Sequence, residues 1–392
     1  MSWEKVKLID CCVSIADGDH QPPPKSDSGI PFVTIANIVN NQFDFKNSMF
    51  VPESYYEKLD YKRKAKKNDI LYSVVGSFGI PVFIKDDKPF VFQRHIAILR
   101  PNKKVNARFL YYKMLSRNFY MKADAAAIGA AQRTVSLTSL RNIEIIVPPM
   151  ETQRRIADVL SAYDDLIENN RKQIKLLEEA AQRLYKEWFV NLRFPGHEHT
   201  KIVDGVPEGW DIRAVSDFGK VITGKTPSTS KPEYYGGNIP FVTIPDMHNT
   251  IFPLSTEKYL SKQGANTQKN KFLPPHSVMV SRIATVGLVN ITCDLCQTNQ
   301  QINSVILKNE KDLYFFYFAM KRIKSLLDGV GSNGATMTNV NKTKFENIRI
   351  LYPESYLGNH FFELCHPIFQ KILILSKENQ YLQQARDRLL AN

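Results

Sequence analysis

The chain has 392 residues, of which 43% are hydrophobic and 23% charged, enough for two ordinary cores and unlike a disordered polymer. No run of about 18 apolar residues is present to span a membrane, and the opening MSWEKVKLID lacks the apolar stretch of a secretory signal. Five cysteines, an odd number, argue against a disulfide framework and for a reducing compartment, so a cytoplasmic location is expected.

The net charge of +13 is unevenly spread. Residues 1–148 carry +8 and residues 200–353 carry +6, whereas 149–199 carry −1 and 354–392 are neutral. Basic segments joined by neutral ones suggest two polyanion-binding modules on an uncharged spacer.

In chain order, Pro31–Ile38 and Ile70–Val75 read as strands, rich in β-branched residues. A periodic helix is expected over Arg108–Asp124, and Asn142–Val147 closes the segment as a last apolar strand. The pattern then recurs. Ile30–Ile35 and Ile239–Ile244 share the six residues Ile-Pro-Phe-Val-Thr-Ile, and Ser73–Gly79 is answered by Ser281–Gly287. The second set of elements is Pro240–Ile244, Val278–Ile283, a helix over Leu313–Asp328, and Asn347–Leu351. The offset drifts only from 209 to 205 residues, too long a period for a solenoid, so a whole domain is duplicated.

Between and after the copies lie helical segments. Glu151 to Trp188 contains neither Pro nor Gly. Its apolar positions Ile156, Leu160, Tyr163, Ile167, Ile174, Leu177, Ala181, Leu184 and Trp188 alternate in steps of four and three, with Asn170 filling one place in the seam. The C-terminal seam repeats this at an offset of 205: Phe361, Cys365, Ile368, Ile372, Leu375, Leu382 and Leu389, interrupted by Asn379 and Arg386. A helix of about 38 residues is about 57 Å long. Exposed seams of that length are poorly soluble, so the two are expected to pair, antiparallel because the chain returns through the second copy. Pro367 suggests that the distal helix starts late or kinks, and Asn170 that one register is fixed. The expected architecture is therefore α+β: two tandem, mainly β domains separated by two long helices in an antiparallel coiled coil. The expected boundaries are 1–148, 149–195, 196–353 and 354–392.

Gly219–Thr226 fits the phosphate-loop pattern, but Pro227 and Pro232 follow where a helix should begin. Cys293 and Cys296 form a lone CxxC without a second ligand pair, so no metal is expected. No catalytic constellation is apparent, and recognition chemistry remains. Gln93-Arg94-His95 and Asn299-Gln300-Gln301 occupy matching places in the copies, and Gln or Asn suits adenine as Arg suits guanine. Gln132 and Arg133 face Asn339 in a second matched loop, and the echoed segments add Ser77 and Arg282. Lys64 and Lys66 in a basic run, and Lys225 and Thr226 on a basic turn, suit phosphate.

The segment Pro148-Pro-Met-Glu-Thr-Gln-Arg-Arg-Ile-Ala-Asp-Val-Leu-Ser-Ala, continuing to Trp188-Phe189-Val190, resembles the central spacer of the specificity subunit (HsdS) of type I restriction–modification systems. Ile30–Ile38, Ile239–Met247 and the Gly224-Lys225-Thr226-Pro227 turn resemble its target-recognition domains. The resemblance covers the whole chain, except that Tyr352-Pro353-Glu354 and Gly358-Asn359-His360 depart from the spacer pattern in the distal half. It implies that each domain reads half of a bipartite DNA site, while the helices set the unread gap and dock two DNA methyltransferase subunits. S-adenosylmethionine would sit in those partners, and ATP and Mg in restriction/translocase subunits, with no cofactor in this chain. A non-catalytic two-headed adaptor for protein or RNA is the alternative.

Overall fold

The computed structural model describes residues 3–20, 23–130, 132–282, 287–323 and 340–391. The chain divides into two compact units, Met1–Glu168 with Tyr381–Asn392, and Asn169–Gln380. Each unit holds one copy of the duplicated domain and a part of each long helix.

In the first unit, strand Ile70–Ser73 is buried along its whole length because both its faces are covered. It lies inside an antiparallel sheet of four strands in the order Cys12–Asp17, Ile96–Pro101, Ile70–Ser73, Pro81–Phe83. A three-stranded sheet places Ile30–Val33 between Met49–Val51 and Val91–Phe92, the last pair parallel. Glu4–Lys7 pairs with Glu144–Val147 and brings the ends of the domain together.

The second unit repeats this strand for strand. Its four-stranded sheet runs Gly219–Thr223, Ile302–Leu307, Val278–Ser281, Val289–Ile291. Its three-stranded sheet centres on Tyr235–Val242, and Asp211–Ala214 pairs with Arg349–Tyr352. In both copies the shared Ile-Pro-Phe-Val-Thr-Ile sequence leaves its strand at the threonine. There Asn37 or Asp246 accepts from the backbone N–H of Thr34 or Thr243 and starts a tight 3-10 turn. The expected strand Pro31–Ile38 is accordingly cut short at Val33.

The helix expected over Arg108–Asp124 is two helices, Ala107–Leu115 and Arg117–Ala125. Ser116 ends the first in an extended conformation and caps the second, its hydroxyl accepting from the N–H of Phe119. In the second copy, Leu313–Lys321 is buried on all sides from Leu313 to Met320. The remainder of that expected helix, from residue 324, lies outside the described residues.

The central helix spans Met150–Phe189 and the distal helix Ser355–Ala391. Pro367 lies inside the distal helix, which starts well ahead of it, contrary to the expected late start. The missing N–H is offset by packing: Phe361, Cys365 and Phe369 around the proline are at most 1% exposed. Within the second unit, Trp188 near the end of the central helix packs at a tilt against His360 and Phe361 near the start of the distal one. Within the first unit the opposite ends meet: the Arg386 guanidinium donates to Asp164 (2.6 Å), which also accepts from the Tyr112 hydroxyl (2.7 Å). The helix segments therefore run antiparallel.

The seam residues Leu160, Ile167, Asn170, Phe361, Ile372 and Leu375 are buried, and Ile156, Ile174, Leu177, Leu184, Ile368 and Leu382 are half-buried. Leu389 is 48% exposed, and the neighbouring Leu390 packs against the first core instead. Seam residues also pack on their own domains. Ile156 and Leu160 join the core of the first copy with Ala157, and Tyr185 and Phe189 join that of the second. Asn170 and Asn379, 4% and 8% exposed, each leave one amide atom without a hydrogen-bond partner, a donor on Asn170 and an acceptor on Asn379. Among the described residues, no helix is long and apolar enough to cross a membrane.

Candidate nucleic-acid interface

The two copies share a loop scaffold built by the same main-chain hydrogen bonds. In the first, Gly18 N donates to Ile96 O (3.1 Å) and Asp19 N to Phe92 O (2.9 Å); in the second, Gly224 N donates to Ile302 O (3.1 Å) and Lys225 N to Thr298 O (3.0 Å). Val74 N to His95 O (2.9 Å) is matched by Arg282 N to Gln301 O (3.0 Å), and Val135 N to Val74 O (2.9 Å) by Val340 N to Arg282 O (3.0 Å). These bonds gather three segments in each copy: the turn after the first sheet strand, the turn before the central strand, and the loop entering from residue 135 or 340. Gly18 and Gly224 permit it, because a Cβ at either would overlap the carbonyl oxygen of Phe92 or Asn299.

The first copy thereby brings together Gln93, Arg94, His95, Ser77, Gln132 and Arg133. Gly76 N donates to Arg133 O (3.0 Å), tying the hairpin that carries Ser77 to the 132–134 loop. Arg133 is turned onto its own domain: it pairs with the Asp124 carboxylate at 3.0 Å, and its guanidinium lies 5.9 Å from the centre of the Phe78 ring. Arg94 is exposed, and among the described residues its guanidinium has no partner.

The basic run borders this cluster through contacts not apparent from the sequence. Arg100 donates to Asp69 (2.8 Å) and to the carbonyls of Lys64 (2.9 Å) and Tyr61 (3.4 Å), while Lys66 N donates to Asp69 (2.9 Å). Arg63, from the same turn, faces Asp17 (3.5 Å) and Asp19 (4.0 Å), and Asp19 also accepts from the Tyr55 hydroxyl. Lys66 is exposed, while Lys64 is half-buried with its ammonium over the Tyr56 ring.

In the second copy, Lys225, Thr226, Arg282, Asn299, Gln300 and Gln301 converge. The Thr226 hydroxyl donates to Gln300 Oε1 (2.5 Å) and Arg282 Nε donates to Gln300 O (2.7 Å). Asn299 folds back on Gln301, its amide donating to Gln301 Oε1 and its carbonyl accepting from Gln301 N, both at 3.0 Å. Beneath the turn lie Gln268 and Gln297, both buried and both missed by sequence reading: Gln268 donates to Lys225 O (2.8 Å) and to Gln297 Oε1 (2.8 Å). The first-copy basic turn Tyr61–Arg63 has its counterpart in Lys269–Lys271. Asn339 lies outside the described residues.

Aligning Gly18-Asp19 with Gly224-Lys225 is the signal that would have found the Asp17, Asp19 and Arg63 group. At matched places the first copy is acidic and recruits an arginine, whereas the second is itself basic.

Gly219–Thr223 is a sheet strand, and Gly224 and Lys225 turn their N–H groups onto carbonyls instead of opening a helix. Burial pushes the Cys293 thiol up to about 11 and Cys296 up to about 12, the behaviour of structural thiols. Among the described residues, no group of three or more His, Cys, Asp or Glu side chains is placed to hold a metal ion.

Comparison with known proteins agrees with this duplicated plan. A family model described as the type I restriction modification DNA specificity domain matches residues 2–179 and again 207–384. The HindI specificity subunit of Haemophilus influenzae is 31% identical, with 92% of each chain covered. The putative MjaX specificity subunit of Methanocaldococcus jannaschii is 27% identical over 99% of this chain and 92% of its own. The crystal structure of the S subunit of a type I restriction–modification system from M. genitalium matches in fold with a TM-score of 0.60 at 18% identity, covering 100% of this chain and 96% of its own.

Proposed function

The chain belongs to the type I restriction–modification DNA specificity family, and on that footing we propose that each of its two domains reads one half of a bipartite, asymmetric duplex site. It is a DNA-recognition subunit and not a catalytic one. The observation that carries the half-site reading is the duplicated loop scaffold, whose backbone is the same in both copies while its side chains differ. A common frame presenting Gln93, Arg94 and His95 in one copy and Asn299, Gln300 and Gln301 in the other suits two related but unequal sequences.

Lys64, Lys66, Lys225, Lys269 and Lys271 border these turns and supply phosphate contacts, which position the duplex without reading it. The paired helices set the unread gap, and the buried polar Asn170 in the apolar seam fixes one register. Two methyltransferase subunits dock against the helices and carry S-adenosylmethionine, and restriction/translocase subunits bring ATP and Mg; the assembly works in the cytoplasm. With six or more phosphates neutralised, affinity of the assembled complex for its site falls about 10³-fold or more between about 50 and 200 mM salt, as titration of labelled duplex will measure. Salt-insensitive capture of a protein partner without DNA binding would favour the adaptor reading instead.

A further inference from the structure

Gln93-Arg94-His95-Ile96 and Asn299-Gln300-Gln301-Ile302 are both four-residue turns, closed by Ile96 N donating to Gln93 O (3.0 Å) and Ile302 N to Asn299 O (3.3 Å). In each, the first and third residues are at least partly withdrawn from solvent: Gln93, His95 and Gln301 are half-buried, and Asn299 is 8% exposed. Asn299 and Gln301 are moreover engaged with each other. The second residue is the exposed tip in both turns, Arg94 in one and Gln300 in the other. The neighbouring arginine that could compete with Arg94 in the first copy, Arg133, is held by Asp124.

We propose that Arg94 and Gln300 are the specificity-determining side chains at the tips of the two matched turns, Arg94 reading a guanine and Gln300 an adenine. This rests on the half-site reading above and names its chemistry. The guanidinium fork presents two donors, which match the O6 and N7 acceptors of guanine in the major groove. The glutamine amide presents one acceptor and one donor, which match N6–H and N7 of adenine. Thr226 is a positioning residue. Its hydroxyl donates to Gln300 Oε1, which fixes the amide plane, leaves one lone pair for adenine N6–H and leaves Nε2 for N7. The matching place in the first copy, His20, is paired with Asp17, so Arg94 has no such brace there.

The test is selection from a duplex library with randomised positions by the full-length chain assembled with its methyltransferase subunits. Arg94→Gln is expected to change one position of one half-site from G to A, with relative selection shifted on the order of 10- to 100-fold and the other half-site unaltered. Gln300→Arg is expected to make the converse change in the other half-site. Thr226→Val should weaken the adenine preference at that same position without shifting any other, and Thr226→Ser should restore it. If the wild-type complex selects a bipartite sequence and the tip variants select the same one, the assignment of the tips is overturned while the half-site reading stands. If the wild-type complex selects no sequence, both fall.

Discussion

Gly224→Ala is expected to lower recognition of one half-site on the order of 100-fold and to leave the other intact. The reason is space, not backbone freedom. Gly224 donates its N–H to Ile302 O, and an added Cβ would overlap the carbonyl of Asn299 and both the hydroxyl and the carbonyl of Thr298. Neither partner can yield cheaply, because Thr298 is a buried strand residue and Asn299 opens the turn that carries Gln300. The turn must therefore move away from the strand, taking Lys225, Thr226 and Gln300 out of register. A well-made bidentate contact supplies 1–3 kcal/mol of discrimination, about 5- to 150-fold, so displacing the turn should lower selection for that half-site on the order of 100-fold. Gly18→Ala makes the mirror-image prediction, since its Cβ would overlap the carbonyls of Phe92 and Gln93. Selection with each variant checks both. Retention of the untouched half-site shows that the complex is folded, and loss of both half-sites in either variant contradicts the account.

Arg100→Met should produce the largest change in stability. The Asp69 side chain is 3% exposed, and Arg100, itself 17% exposed, is its counter-ion at 2.8 Å. Methionine preserves much of the volume but leaves a buried carboxylate with, among the described residues, only the Lys66 N–H, a loss of about 3–5 kcal/mol for a broken buried pair. The effect should be confined to the first unit, so hydrogen exchange of Ile70–Ser73 and Ile96–Pro101, read separately from the second copy, is the appropriate measurement. A functional consequence follows, because Arg100 also holds the carbonyls of Tyr61 and Lys64. Once these are released, the basic run no longer tracks phosphate in a fixed place. Affinity and its salt slope should both fall while the selected sequence stays the same. A loss of stability below about 1 kcal/mol, or a changed sequence, would contradict this role.

The domain duplication and the helix seams were legible because both are periodic: one at about 205 residues, the other in steps of three and four. The candidate loops were legible as matched places in the copies, but their internal division of labour was not. Nothing in Asn299-Gln300-Gln301 says that the outer two side chains engage each other and leave the middle one exposed, since that follows from the turn closed by Ile302 N. Arg63 was one basic residue in a run of them. Its placement against Asp17 and Asp19 depends on contacts 44 and 46 residues apart in sequence, brought together by the sheet. Ser116 illustrates the limit on helix reading: the periodicity continues through it, and only its capping hydroxyl ends one helix and begins the next. Pro367 shows the converse, a local breaker overridden by tertiary packing.

The most direct test is the sequence that the wild-type chain selects when assembled with the methyltransferase subunits proposed as its partners, read as the genome-wide pattern of methylated adenines with and without this chain. Two different short half-sites separated by a fixed number of unread bases are expected, as two unequal readers on a common scaffold require. A single uninterrupted site, a palindrome, or no dependence on this chain would contradict that account.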